Sequence, residues 1–298
     1  MENSLLDSGL LRRLEQLQMV ARRVAKSSLR GERRSRARGH SVEFADFRNY
    51  VSGDDLRYLD WSLYGRLDRL FIRLYEEERE LPVTLFLDSS ESMAFGTPSK
   101  FDFARQITAA VAHVALSGFD RVSVRSFPML EANRVRYAAL RSVRGRQSSL
   151  GLFEQLTHLV PGASADLNEE LRRGAIETRQ VGLAVVVSDF LDESGYEDGL
   201  KALLSRGFQV MVVQVLSPEE LNPSVFGDLK FVDAETGAAR EVTFGKFRLS
   251  RYQASTAAYI QQLADFCRAR GVGFWSVSSD CSIEDLLLKQ MKEGDLWR

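Results

Sequence analysis

Asp88, Ser90 and Ser92 follow an apolar run at alternate positions, in the stretch Leu85-Phe86-Leu87-Asp88-Ser89-Ser90-Glu91-Ser92-Met93. Successive residues of an extended chain point to opposite sides, so this spacing turns one carboxylate and two hydroxyls the same way. Hard oxygen donors of this kind suit Mg²⁺ or Mn²⁺. A second carboxylate closes another apolar run, Leu183-Ala184-Val185-Val186-Val187-Ser188-Asp189. Two such strands side by side would carry Asp88 and Asp189 to one metal site at a sheet edge. The plainer alternative is that Asp88 to Ser92 caps the next helix and Asp189 caps a turn, as these residue types often do.

Strands and helices alternate from Val83 onward, which predicts a mostly parallel sheet with helices on both faces. Strands are expected at Val83 to Asp88, Arg121 to Phe127, Leu183 to Asp189, Phe208 to Leu216 and Val272 to Val277. Helices are expected at Lys100 to Leu116, Leu150 to Leu159, Leu167 to Glu177, Tyr196 to Leu204, Ser250 to Arg270 and Ile283 to Lys292. Arg134 to Leu140 follows Phe127 too closely for a crossover helix and is expected as an antiparallel edge strand. Glu235-Thr236-Gly237 is expected to turn a hairpin between Asp228 to Asp233 and Arg240 to Thr243. At the N-terminus, Leu6, Leu10, Leu14, Leu17 and Val20 share one helical face within Leu5 to Val24. The run Lys26 to Arg38 carries six basic residues against Glu32, and reads as a solvated connector or a docking patch for an acidic partner.

The 298 residues can bury a sizeable core, and 44% hydrophobic with 27% charged residues is ordinary for a globular protein. A formal net charge of -1 argues against a globally basic nucleic-acid binder and leaves only a local patch open. No apolar run approaches the roughly 20 residues of a membrane helix. The N-terminal residues lack the charged and apolar blocks of a secretion signal, and Cys267 and Cys281 are too few for a disulfide scaffold. These features lead to the expectation of a cytoplasmic protein.

Asp-x-Ser-x-Ser after a first strand, with Ser-Asp closing a later one, resembles the metal-ion-dependent adhesion site of von Willebrand factor A domains. Upstream, Tyr50-Val51-Ser52-Gly53-Asp54-Asp55-Leu56-Arg57-Tyr58-Leu59-Asp60-Trp61 resembles the signature of the bacterial family called domain of unknown function 58. Together these matches cover roughly Ser41 to Asp192. The resemblance implies an α/β, von Willebrand factor A-like, Rossmann-type sheet over residues 81–298. Residues 1–80 would form an N-terminal helix, the basic connector and the signature segment. It implies that Asp88, Ser90, Ser92 and Asp189 hold Mg²⁺ or Mn²⁺, the serines directly and the aspartates partly through water. An ion with few direct anionic ligands would accept a carboxylate from another protein, with no bond broken. Relatives of this kind are associated with MoxR-type AAA+ ATPases, so the implied role is a non-enzymatic adaptor for such an ATPase. One position departs from the pattern. Aligned on Asp166-Leu167, the expected threonine ligand is Ala165, whose methyl cannot ligate, leaving Ser164 or a water to take its place.

Within the signature, Gly53-Asp54-Asp55 reads as a tight turn, Arg57 as a partner for Asp54 or Asp60, and Trp61 as an apolar anchor. Other chemistries find little support. His40, His113 and His158 are scattered, and no Gly-x-Ser-x-Gly elbow, phosphate-binding Gly-x-x-x-x-Gly-Lys loop or His-Glu-x-x-His helix occurs. An aspartyl-phosphate phosphotransferase using Asp88 is the best enzymatic alternative, but it expects a second acid where Ser90 stands. A scaffold binding nucleic acid or a membrane surface through the basic run is the third.

Overall fold

Two strands apolar on both faces sit at the centre of the fold, as expected where helices cover a parallel sheet on either side. The computed structural model describes residues 5–15, 42–77, 80–133, 142–223, 227–232, 239–244 and 246–287. The basic run Lys26 to Arg38, the stretch Arg134 to Leu140, the turn Glu235 to Gly237, and Leu17 and Val20 lie outside them. The chain divides into two compact units, Met1–Arg23 with Leu81–Arg298, and Val24–Glu80.

The larger unit opens with α1 (Ser8–Leu14), capped by Asp7, whose carboxylate accepts from the Gly9 and Leu10 amides. Leu6, Leu10 and Leu14 are buried in the core of the sheet domain. The sequence reading grouped this helix with the connector; packing groups it with the sheet, because its leucine stripe needs an apolar partner that α3 provides.

In the smaller unit, β1 (Val42–Asn49) pairs antiparallel with β2 (Phe71–Glu77). Between them lies the signature segment, ending in α2 (Trp61–Leu67). Gly53 takes a left-handed φ of 107°, consistent with the expected turn. Asp54 is held by Arg48 at 2.7 and 2.8 Å, Arg57 bonds Asp55, and Asp60 caps α2 through the Ser62 and Leu63 amides. Trp61 is 65% exposed, its ring edge-on to Tyr64 one turn later.

The main sheet uses β3 (Pro82–Asp88), β4 (Arg121–Phe127), β5 (Val143–Arg144), β6 (Leu183–Ser188), β7 (Gln209–Leu216) and β10 (Gly273–Ser278). Their order is β10-β7-β6-β3-β4-β5, parallel throughout except for β5, which pairs antiparallel with β4. The antiparallel edge strand is therefore Val143–Arg144 among the described residues. This is the doubly wound order in which the chain runs outward from β3 and then restarts on its other side at β6. Helices α3 (Lys100–Ser117) and α4 (Ser148–Thr157) contribute to the core on the face of Leu85, Leu87 and Val187. Helices α5 (Leu167–Glu177) and α6 (Glu197–Arg206) pack on the face of Phe86, Ala184 and Val186. A single-turn α7 (Pro218–Leu221) follows β7, and β8 (Gly227–Val232) pairs antiparallel with β9 (Ala239–Phe244). The long α8 (Lys246–Arg268) buries Leu263 and Cys267 in the second core, and a short α9 (Ile283–Asp285) follows β10.

Candidate metal centre

The winding reverses between β3 and β6, and their carboxyl ends open the crevice where ligands bind in open α/β sheets. Leu87 lies opposite Val187 in the parallel register, so Asp88 is the last residue of its strand and faces Ser188, with Asp189 one step beyond. The Ser188 hydroxyl donates to Asp88 Oδ2 at 2.6 Å, and the Ser90 amide donates to Oδ1 at 2.9 Å. Asp88 is buried; burial first, and then the nearby Asp189 carboxylate, push its pKa up to about 7 against the hydrogen bonds from Ser188 and Ser90.

From Asp88 the chain turns into a 3₁₀ segment, Glu91–Ala94, which brings both hydroxyls round to the second acid. Ser90 Oγ lies 3.1 Å from Ser92 Oγ, and Ser92 Oγ donates to Asp189 Oδ2 at 3.0 Å. Asp189 is fixed from several sides. Its Oδ1 accepts from the Leu191 amide at 3.1 Å, and its carbonyl accepts from the buried Gln214 side chain at 3.0 Å. The next residue, Phe190, is buried at a left-handed φ of 57°, with its carbonyl bonded by the Tyr259 hydroxyl. A bulky residue in that conformation persists where its surroundings hold it.

Two residues that sequence reasoning missed complete the cluster. Lys100, the first residue of α3, is 1% exposed, and its ammonium donates to Asp189 Oδ2 at 2.7 Å and to Glu220 Oε1 at 2.5 Å. Burial works against its charge, but the two carboxylates hold its pKa above the ordinary 10.5. Glu220 belongs to a capping box at α7, where its other oxygen accepts from the Ser217 amide at 2.8 Å. The Ser-x-x-Glu signal of that box and a lysine directly behind the Ser99 cap are both visible in the chain. Neither one points to Asp189 without the fold.

The remaining expected residue is Ser164. Its loop reaches the site through backbone bonds, Glu91 N to Ala163 O at 3.0 Å and Gly162 N to Ser89 O at 2.9 Å. Ser164 itself is exposed and Ala165 half-buried. Asp88, Ser90, Ser92 and Asp189 are thus brought together, with Ser164 on the adjoining loop.

The hydroxyl and carboxylate oxygens are donors of the hard kind that a small divalent cation takes. An octahedral Mg²⁺ with bonds of 2.0–2.1 Å separates neighbouring ligands by about 2.9 Å. Ser90, Ser92 and Asp189 form a row with steps of 3.1 and 3.0 Å. Phe95 and Leu191, both exposed, follow Ser92 and Asp189 closely in the chain, and exposed Met129 follows β4.

Sequence comparison finds a relative that is 27% identical over 279 residues, an uncharacterized protein from Mycobacterium tuberculosis, covering 92% of this chain and 86% of the other. Among solved structures, the conserved hypothetical protein BatB from Bacteroides thetaiotaomicron is similar at a TM-score of 0.41 and 16% identity, over 72% of this chain and 98% of that one. A von Willebrand factor type A structure from Catenulispora acidiphila is similar at 0.34 and 17% identity, over 49% and 35% of the two chains. A family model matches residues 46–262, spanning both the signature segment and the strand-end cluster, and the chain belongs to that family, described as protein of unknown function DUF58.

Proposed function

We propose that this protein is a non-enzymatic, metal-dependent protein-binding module whose docking face is the carboxyl end of β3, β4 and β6. The observation that carries this reading is the row Ser90, Ser92, Asp189, spaced as adjacent ligands of one small cation. Bound Mg²⁺ or Mn²⁺ supplies a coordination position for a carboxylate of the partner. The chain's own residues do the rest. Ser90 and Ser92 offer neutral oxygens that leave the positive charge largely unspent, Asp88 and Asp189 confine it to the strand ends, and Phe95, Met129 and Leu191 provide apolar contact around it. The resemblance of the Asp88 and Tyr50 motifs implies a MoxR-type AAA+ ATPase as the partner.

The test combines metal titration with binding. Melting temperature should rise with Mg²⁺ or Mn²⁺ in the wild type, because a ligand of the native state stabilises it, and should stay flat in Asp88→Ala. A MoxR-type ATPase from the same organism should bind in Mg²⁺ and dissociate in chelator and from Asp189→Ala. A wild type with no thermal or calorimetric response at millimolar metal would leave Asp88 to Ser92 as a capping turn.

A further inference from the structure

We infer that Lys100 is the resident counter-cation of the strand-end carboxylates, and that it controls how tightly a divalent ion can bind there. The inference rests on the metal-binding reading above for the identity of the competing ion. The Lys100 ammonium lies 2.7 Å from Asp189 Oδ2, the same oxygen that ends the row through Ser92. It thereby uses a lone-pair direction that coordination would need, and places a full positive charge where a second cation must enter.

Three features mark this as a built arrangement. The lysine side chain is 1% exposed, which for an ammonium demands paired carboxylates. It stands at the first position of α3, where the helix dipole disfavours a cation, so local helix chemistry gives no reason for it. And its two acids come from different segments, Asp189 after β6 and Glu220 in α7, the latter anchored through Ser217. Glu220 is the seat to which the ammonium retires when Asp189 turns to an ion. The site therefore alternates between a lysine-neutralised state and a metal-bound state, and the affinity for metal reflects the competition.

Lys100→Met removes the charge while keeping most of the side-chain length. Mg²⁺ and Mn²⁺ binding to the full chain, read by calorimetry and by metal-dependent melting shift, should tighten by about tenfold or more in this variant, since a like charge within a few ångströms of a divalent ion has been removed. Lys100→Arg should stay near wild type. Glu220→Gln, which removes the retreat seat, should weaken binding. Metal affinity in folded Lys100→Met equal to or below wild type overturns the inference. Should Lys100→Met fail to fold, Glu220→Gln decides, and unchanged or tighter binding there overturns it. Wild type that binds no metal beside a Lys100→Met that does would sink the metal-dependent function and support the inference. Wild type that binds beside a variant that binds no tighter does the reverse, and absence of binding in both defeats the two together.

Discussion

Each carboxylate of the cluster has a different companion, and this difference sets its role. Asp88 is held by neutral donors alone, Ser188 and the Ser90 amide, and its pKa stands at about 7 through burial and Asp189. Asp189 instead shares one oxygen between the Ser92 hydroxyl and the Lys100 ammonium. A buried ionisable group away from this cluster offers a clean pH test. His113 on α3 is 4% exposed and is hydrogen-bonded through Nδ1 to Ser149 Oγ at 3.1 Å. Burial lowers its pKa below the ordinary 6.5; Glu15 at 3.7 Å, itself paired with Arg146, works in the other direction and does not win. The folded state then binds fewer protons than the unfolded chain. Its contribution to stability is complete above pH 6.5 and declines as pH falls below that value, with a slope of at most about 1.4 kcal/mol per pH unit. Urea titrations at stepped pH should show this decline in the wild type and less of it in His113→Gln. An identical decline in both would assign it to other groups.

At the scale of elements, the segment after β6 is set by its neighbours. Gln214 on β7 binds the Asp189 carbonyl, Tyr259 on α8 binds the Phe190 carbonyl, and Phe190 is kept left-handed between them. Gln214→Leu keeps the volume and removes the donor. It should cost about 1–3 kcal/mol, the penalty of a buried carbonyl without its partner. It should also reduce the metal-dependent rise in melting temperature, because Asp189 loses a support. Unfolding by urea measures the first effect and a metal titration the second. Full wild-type behaviour in both would show that Tyr259 and the strand ladder suffice. The signature segment follows a similar logic in its own unit. Its acids are spent on Arg48, Arg57 and the α2 amides, which accounts for a polar string within that unit.

For the molecule as a whole, the sheet domain is assembled from two stretches of chain separated by the smaller unit. Leu14 of α1 is fully buried in the core that contains α3, β3 and β6. Leu14→Ala should cost about 2–5 kcal/mol, as for other fully buried leucines. A loss well under 1 kcal/mol in denaturant titration would mean that α1 contributes little to that core. Phe95, Met129 and Leu191 are exposed, each beyond the carboxyl end of a different strand, and give the proposed docking face its apolar border.

Much of this could be seen in the chain before folding. Apolar runs ended by Asp88 and Asp189, alternating with helical periodicity, specify a mostly parallel sheet with acids at strand ends, because burial on both faces and hydroxyl spacing are local properties of sequence. Leu6, Leu10 and Leu14 likewise declared a buried helical face. What that face packs against, and which residue meets which acid, were decided by tertiary structure. The register of β3 against β6 puts Ser188 rather than Asp189 opposite Asp88, a choice of one residue that no local pattern encodes. Lys100 and Glu220 are separated from Asp189 by long stretches of chain. Only the winding order, which places β6 between β3 and β7, brings the Lys100 ammonium to Asp189 Oδ2 and the Glu220 carboxylate to that same ammonium.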